Sequence, residues 1–236
     1  MKFAYLIEPP FNDRDPAGVV VGHDVEIARH VCAVLGEPFE PVETEFAQLL
    51  PGLVAGRWRM TTGLFATEAR RQVAAFTRPV WALPDGLLVR KGNPRQLTGY
   101  RTIARDEAAL LAVIRDQAQH GTARDFGVPD RRIRLFETYG AAAAAVRDGH
   151  ADAYASVGRA HSGFLARSPG SDLATVEVPR EEAAPAFGAF ALSLADAEFR
   201  ARVNGILHAF LGSAAYRDIA ARYGFSGAEV DLVAPH

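Results

Sequence analysis

The chain has 236 residues, with 26 Lys+Arg against 28 Asp+Glu and a formal net charge of −2. That length allows one large domain or two smaller lobes with real cores, and the near-balance of charge supplies no basic face of the kind nucleic acid requires. No apolar run approaches the roughly 20 residues that cross a bilayer, so neither nucleic-acid binding nor membrane insertion is expected.

Strand-like and helix-like patterns alternate along the chain, the signature of an α/β architecture. Residues 2–7 are β-rich and stop at Pro9-Pro10. The opening MKFAYLIEPPFN has neither the longer apolar region nor the small-residue cleavage site of a secretory signal. The expectation is a cytoplasmic protein or a chain that begins at a mature domain. Residues 12–22 read as a turn-rich connection, and 24–35 as an amphipathic helix with Asp24 as N-cap and Gly36 as its end. Cys32 lies in the apolar stripe of that helix, so it is expected to be a core thiol, and a single cysteine excludes an internal disulfide.

A second strand is expected over 41–45 and a helix over 47–56. The stretch TTGLFATEARR at 61–71 then reads as a donor-rich turn, a helix start at Thr67, and paired arginines. A strand over 86–89 leads into RKGNPRQLTG at 90–99, polar and rich in breakers, where the first passage between lobes is expected. A second α/β unit follows: a strand at 110–114, a polar turn at 115–119, and a helix closed by Gly127. A strand at 132–136, an alanine-rich helix at 141–147, a strand at 152–156 and a helix at 159–167 complete it. From 187, FGAFALSL is strand-like again. Phe199, Val203, Ile206, Leu207, Phe210 and Leu211 then repeat at helical spacing, and a last helix ends at Gly224.

Nucleotide fingerprints, HExxH, CxxC and the GxSxG elbow are all absent, so no cofactor, metal or catalytic residue is expected. His150 and His161 are near each other in sequence, but their spacing reads as solvated surface and not as a ligand pair. The balance moves toward binding.

Five segments, in order from residue 1 to about 226, carry a family resemblance. They are EPPFN…DPAGVVVGHDVEIARHVCAVLG, FAQLLPGLVAGRW, GLFATEARRQVAAFTRPVW, FETYGAAAAAVRDGHADAYAS, and FGAFALSLADAEFRARVNGILHAFLGSAAYRDIAARYGF. Together they resemble the extracellular solute-binding proteins of family 3, the amino-acid-type binding proteins of ABC transporters. The resemblance implies a periplasmic-binding-protein-like type II fold, with two α/β lobes joined by two crossing strands and a ligand cleft between them. Lobe one would be 1–88 plus 187–236, and lobe two 89–186. It also implies hinge closure on a small solute, an ABC permease as partner, a monomer, and a periplasmic location if a signal sequence has been removed.

Arg70 matches the family arginine that grips a ligand carboxylate, a task suited to the guanidinium fork. Backbone N–H groups around Thr62, Gly63 and Phe65, and the helix start at Thr67, would add to the same anion site. The alternative is that Arg70 and Arg71 form a solvated pair, and Arg71 is expected to face water. In lobe two, Gln117 or Gln119 could donate to the ligand, or merely cap the following helix; Ser156 stands beside the site.

The family's acid for an α-ammonium is replaced by Val157, which disfavours an ordinary α-amino acid, because its ammonium would be poorly paired in a closed cleft. Glu8 stands where an aromatic usually stacks on the ligand, either as a cleft carboxylate meeting a cationic group or as an exposed strand-end residue. Phe65 replaces a small hydroxyl residue. The runner-up function is a lyase on the same scaffold, resembling cyclohexadienyl dehydratases, with Glu8 as general acid if burial beside Phe65 and Trp81 kept it protonated.

Overall fold

A computed structural model describes residues 1–235. They form two compact units, Met1–Ala82 with Phe187–His236 as the first and Leu83–Ala186 as the second. The polar stretch 90–99 therefore lies inside the second unit and does not carry the passage expected of it.

The first unit is built on a six-stranded sheet. Its strands run Glu40–Glu43, Lys2–Tyr5, Met60–Phe65, Ala186–Leu192 and Ala75–Phe76, with Trp81–Leu83 also paired to Ala186–Leu192. Lys2–Tyr5 is parallel to both of its neighbours, whereas Ala186–Leu192 runs antiparallel to Met60–Phe65. On one face Leu6, Leu49, Leu53, Trp58, Leu64 and Phe76 form an apolar cluster. Trp58 seats its ring against Gly52, where a Cβ would lie 2.0 Å from the indole, and donates its N–H to the Leu49 carbonyl at 2.9 Å.

Helix His23–Leu35 buries Val25, Ile27, Ala28, Val31 and Cys32, so the cysteine is a core thiol, as its spacing predicts. Gly36 ends the helix in the left-handed conformation, φ 71°. The N-terminus differs from expectation: Gly22 is the cap, and Asp24 sits inside the first turn. Gly22 has φ 136°, and a Cβ there would lie 2.1 Å from the Phe11 carbonyl oxygen, so only glycine fits. The connection ahead of it also pairs as two short strands, Asp13–Arg14 and Val20–Val21. Helices Ala197–Phe210 and Ala214–Arg222 follow the expected apolar spacing. A further short helix, Gly227–Asp231, closes with a capping box between Ser226 and Glu229.

The second unit is a five-stranded sheet ordered Ile133–Phe136, Leu111–Ile114, Ala153–Val157, Asp85–Arg90 and Leu173–Glu177. Leu111–Ile114 is buried at every position, as a strand parallel to both neighbours demands. Asp85–Arg90 is antiparallel to both of its neighbours. The strand Leu173–Glu177 has no counterpart among the sequence expectations. Leu87, Tyr100, Ile103, Leu111, Val113 and Ile133 contribute to the apolar core, against which helix Ala118–Asp125 packs Ala123.

Candidate ligand-binding site

The stretch that reads as a turn in the sequence, Thr61-Thr62-Gly63, is in the structure part of the strand Met60–Phe65. It lies in the sheet because Lys2–Tyr5 pairs with its start and Ala186–Leu192 with most of its length. Thr67 is the N-cap of the next element, as predicted, but that helix is the single turn Glu68–Arg71. One turn aligns too few peptide dipoles to add much to an anion site.

Asp24 organises the strand. Its carboxylate is fully buried, and Oδ2 accepts the Thr62 hydroxyl at 2.7 Å and the Gly63 N–H at 2.8 Å. Thr62 Oγ1 in turn accepts from Asn12 Nδ2 at 2.8 Å. The Gly63 N–H, expected to add to an anion site, is therefore engaged by the protein's own carboxylate, as is the Thr62 hydroxyl. A Cβ on Gly63 would fall 2.6 Å from Trp81 Nε1 and 3.0 Å from Asp24 Oδ2, so the closeness of these groups requires glycine. Trp81 also lies on Gly188 and meets Phe11 and Phe65 at ring-centroid distances of 5.3 and 5.5 Å. Phe65, itself half-buried, forms the edge of this aromatic group.

Arg71 faces water, as expected, and Arg70 is the less exposed of the two. Arg71 is exposed and donates to the Ala66 carbonyl at 3.0 Å. Arg70 is half-buried, and its guanidinium donates to the Phe65 carbonyl at 2.9 Å and lies 5.3 Å from the centre of the Phe46 ring. The carbonyl and the ring face fix the direction of the fork. Glu8 is 9 % exposed, which removes the reading of it as an exposed strand-end residue. Its backbone closes a tight turn, with Phe11 N–H donating to its carbonyl at 3.0 Å and its own N–H to Asn12 at 2.9 Å.

In the second unit Gln117 occupies the cap position of helix Ala118–Asp125 but makes no side-chain cap bond. Gln119 is buried and donates from Nε2 to Asp85 Oδ1 at 2.8 Å, while the Tyr100 hydroxyl donates to Asp85 Oδ2 at 2.6 Å. Its amide thus holds the first turn of the helix to a buried carboxyl group. Burial pushes the Asp85 pKa up, opposed by the bonds from Tyr100 and Gln119. Ser156 is buried in the strand Ala153–Val157, opposite Gly86, and Val157 is buried beside it.

His161, read from the sequence as solvated, is 0 % exposed. Nδ1 lies 2.6 Å from the Tyr139 hydroxyl and Nε2 3.1 Å from the Gly86 carbonyl. Burial lowers its pKa to about 4, so it is a neutral core residue at physiological pH. His150 is exposed. Among the described residues no group of three or more His, Cys, Asp or Glu could hold a metal ion, and no helix is long and apolar enough to cross a membrane.

The fold is that of the type II periplasmic binding proteins. EhuB in complex with hydroxyectoine superposes with a TM-score of 0.89 at 24% identity, covering 98% of this chain and 90% of that one. An arginine-binding protein mutant from T. maritima follows at TM-score 0.83 and 22% identity, covering 94% of each chain. The family model of the bacterial extracellular solute-binding proteins, family 3, matches residues 2–226, and the chain belongs to that family. A probable amino-acid ABC transporter periplasmic-binding protein of Sinorhizobium fredii is 30% identical over 95% of this chain and 77% of its own length. The lysine/arginine/ornithine-binding periplasmic protein of Escherichia coli is 30% identical over 38% of this chain and 35% of its own. Family members are substrate-binding components of ABC transporters and not enzymes.

Proposed function

We propose that the chain is a periplasmic solute-binding protein that delivers a small carboxylate-bearing solute to an ABC permease, closing on it by a hinge. The observation that carries this reading is Arg70, a half-buried guanidinium aimed by the Phe65 carbonyl and the Phe46 ring on the family's carboxylate-gripping position. The solute is one without a free α-ammonium group, because the position that would pair with it is the apolar Val157. The buried Glu8 suits a cationic group elsewhere on the ligand, such as a guanidinium or a delocalised ring cation. Gln117 and Ser156 are the second unit's candidate polar contacts.

A thermal-shift screen with hydroxyectoine, L-arginine, L-histidine and simple carboxylates tests this reading. A ligand at about a hundred times its Kd adds roughly 2.7 kcal/mol of stability, a rise of several degrees in Tm. Arg70→Ala should remove that response. Equal affinity in Arg70→Ala and wild type would end the carboxylate reading, and a preference for unmodified α-amino acids would end the reading of Val157.

A further inference from the structure

Three segments of the first unit that lie far apart in sequence meet in one buried cycle of hydrogen bonds. Asn12 donates from Nδ2 to Thr62 Oγ1 at 2.8 Å, and the Thr62 hydroxyl donates to Asp24 Oδ2 at 2.7 Å. Asp24 closes the cycle with its backbone N–H, which donates to the Phe11 carbonyl at 3.0 Å. All four residues are buried. The direction of each bond follows from its neighbours. A backbone N–H can only donate, and that of Gly63 reaches Asp24 Oδ2 at 2.8 Å, so this oxygen is an acceptor. The Thr62 hydrogen therefore points to it, the Thr62 oxygen accepts, and Asn12 must turn its NH2 toward Thr62. That orientation leaves Asn12 Oδ1 buried with no partner among the described residues. A buried oxygen left so does not stabilise the fold, and the amide is accounted for by the bond at its other end.

The cycle lies between the two ends of the proposed site. Asn12 is the last residue of the tight turn that begins at Glu8, whose N–H donates to the Asn12 carbonyl at 2.9 Å. The same turn is joined to the start of helix His23–Leu35 by the His23 N–H, which donates to the Pro10 carbonyl at 2.9 Å. Thr62 and Gly63 belong to the strand Met60–Phe65, whose last residue supplies the carbonyl that aims Arg70. We propose that Asn12 is a positioning residue. Through Thr62 and Asp24 it holds the Glu8 turn at a set distance from the strand that leads to Arg70. It thereby fixes the spacing between the cationic and anionic groups that the protein accepts in one solute. This rests on the reading of Glu8 and Arg70 as ligand contacts. Both belong to the first unit, so the spacing is a property of that unit alone. A support that slackens by about 1 Å no longer presents such groups usefully, which is why the cycle is buried and closed. The solute class that follows carries a carboxylate and a guanidinium-like cation at a fixed spacing, without an α-ammonium group.

Two measurements on the full chain separate positioning from simple support. The first is amide hydrogen exchange without ligand. Asn12→Ala should speed exchange of the Asp24 amide, and Thr62→Val that of Gly63, at least threefold relative to amides of the second unit. Thr62→Ser keeps a hydroxyl and should leave Gly63 at the wild-type rate. The second is titration calorimetry with γ-guanidinobutyrate, which carries both charges, and butyrate, which carries only the carboxylate. Asn12→Ala should weaken γ-guanidinobutyrate at least tenfold and butyrate less than twofold, because the carboxylate end stays with Arg70. Thr62→Val should show the same split, and serves alone should Asn12→Ala not fold. Equal losses for the two probes overturn the positioning role, and unchanged exchange in a folded variant overturns the cycle. Wild-type protein that binds neither probe would end the reading of Glu8 and Arg70, and the positioning role with it, a failure visible before any variant is made.

Discussion

Each unit holds a buried aspartate beside the segment expected to meet a ligand, but the two are satisfied by different chemistry. In the first unit Asp24 accepts from the Gly63 backbone N–H, which cannot turn, and from the Thr62 hydroxyl, with the His23 ring 3.0 Å from its other oxygen. In the second, Asp85 accepts from a phenol and from an amide that could turn over to present its oxygen instead. The contrast shows that burial alone does not set the value of a carboxylate. What counts is whether its partners can adapt when the charge is lost.

The same substitution at the two sites makes the contrast measurable. Asp24→Asn takes the charge from an acceptor of two hydrogen bonds in a fully buried network, and should cost about 1.5–3 kcal/mol, the range for a hydrogen bond to a charged group. Asp85→Asn keeps one acceptor for Tyr100, and Gln119 can reverse its amide, so the cost should be under about 1 kcal/mol. Urea unfolding of both variants checks this, and equal losses would dissolve the distinction.

Acid should expose a second difference, this time inside the second unit. The folded-state pKa of His161 is lowered to about 4 by burial. Between the ordinary histidine value near 6.5 and about 4, the unfolded chain binds the proton and the folded one does not. Stability from this residue is therefore present above that window and lost as pH falls through it, by roughly 3 kcal/mol in total. Asp85 has the opposite sign: its folded-state pKa is raised, so lowering pH through that value relieves a buried charge. His161→Gln should flatten the fall in stability between pH 6.5 and 4. An equally steep fall in that variant would place the acid sensitivity elsewhere.

The lyase alternative is weakened by the same comparisons that establish the family. Prephenate and arogenate should pass through assays with this protein unchanged, and turnover lost in Glu8→Gln would reverse that conclusion.

Local pattern made much of the fold legible. Helix Ala197–Phe210 follows from apolar spacing, and Gly36 marks the end of helix His23–Leu35 because a left-handed residue leaves few other choices. Met60–Phe65 was not legible as a strand, since Thr-Thr-Gly has the composition of a loop and its pairing partners lie far away in sequence. The edge strand Leu173–Glu177, only partly buried, lacks the continuous apolar run that marks a central one. At the candidate site the exposure of Arg71 was readable. The roles of Asp24, Gln119 and His161 were not, because each depends on a partner between 22 and 75 residues distant. A buried histidine and a solvated one have the same letter, and only the Tyr139 hydroxyl and the Gly86 carbonyl distinguish them.

The smallest expected effect tests the finest part of the comparison, within a single helical turn. Arg71 is exposed, and both its bond to the Ala66 carbonyl and its approach to the Phe76 ring, 5.7 Å from its centre, are made at the surface. Solvent competes for such contacts, so Arg71→Ala should change stability by no more than about 0.5 kcal/mol and leave probe affinity at the wild-type value. Arg70→Ala loses the Phe65 carbonyl and the Phe46 ring face as well as its charge, and should weaken a carboxylate probe at least tenfold by titration calorimetry. Neighbouring arginines with equal effects on affinity would mean that the turn acts as one basic patch, and the reading of Arg70 as a directed clamp would fall with it.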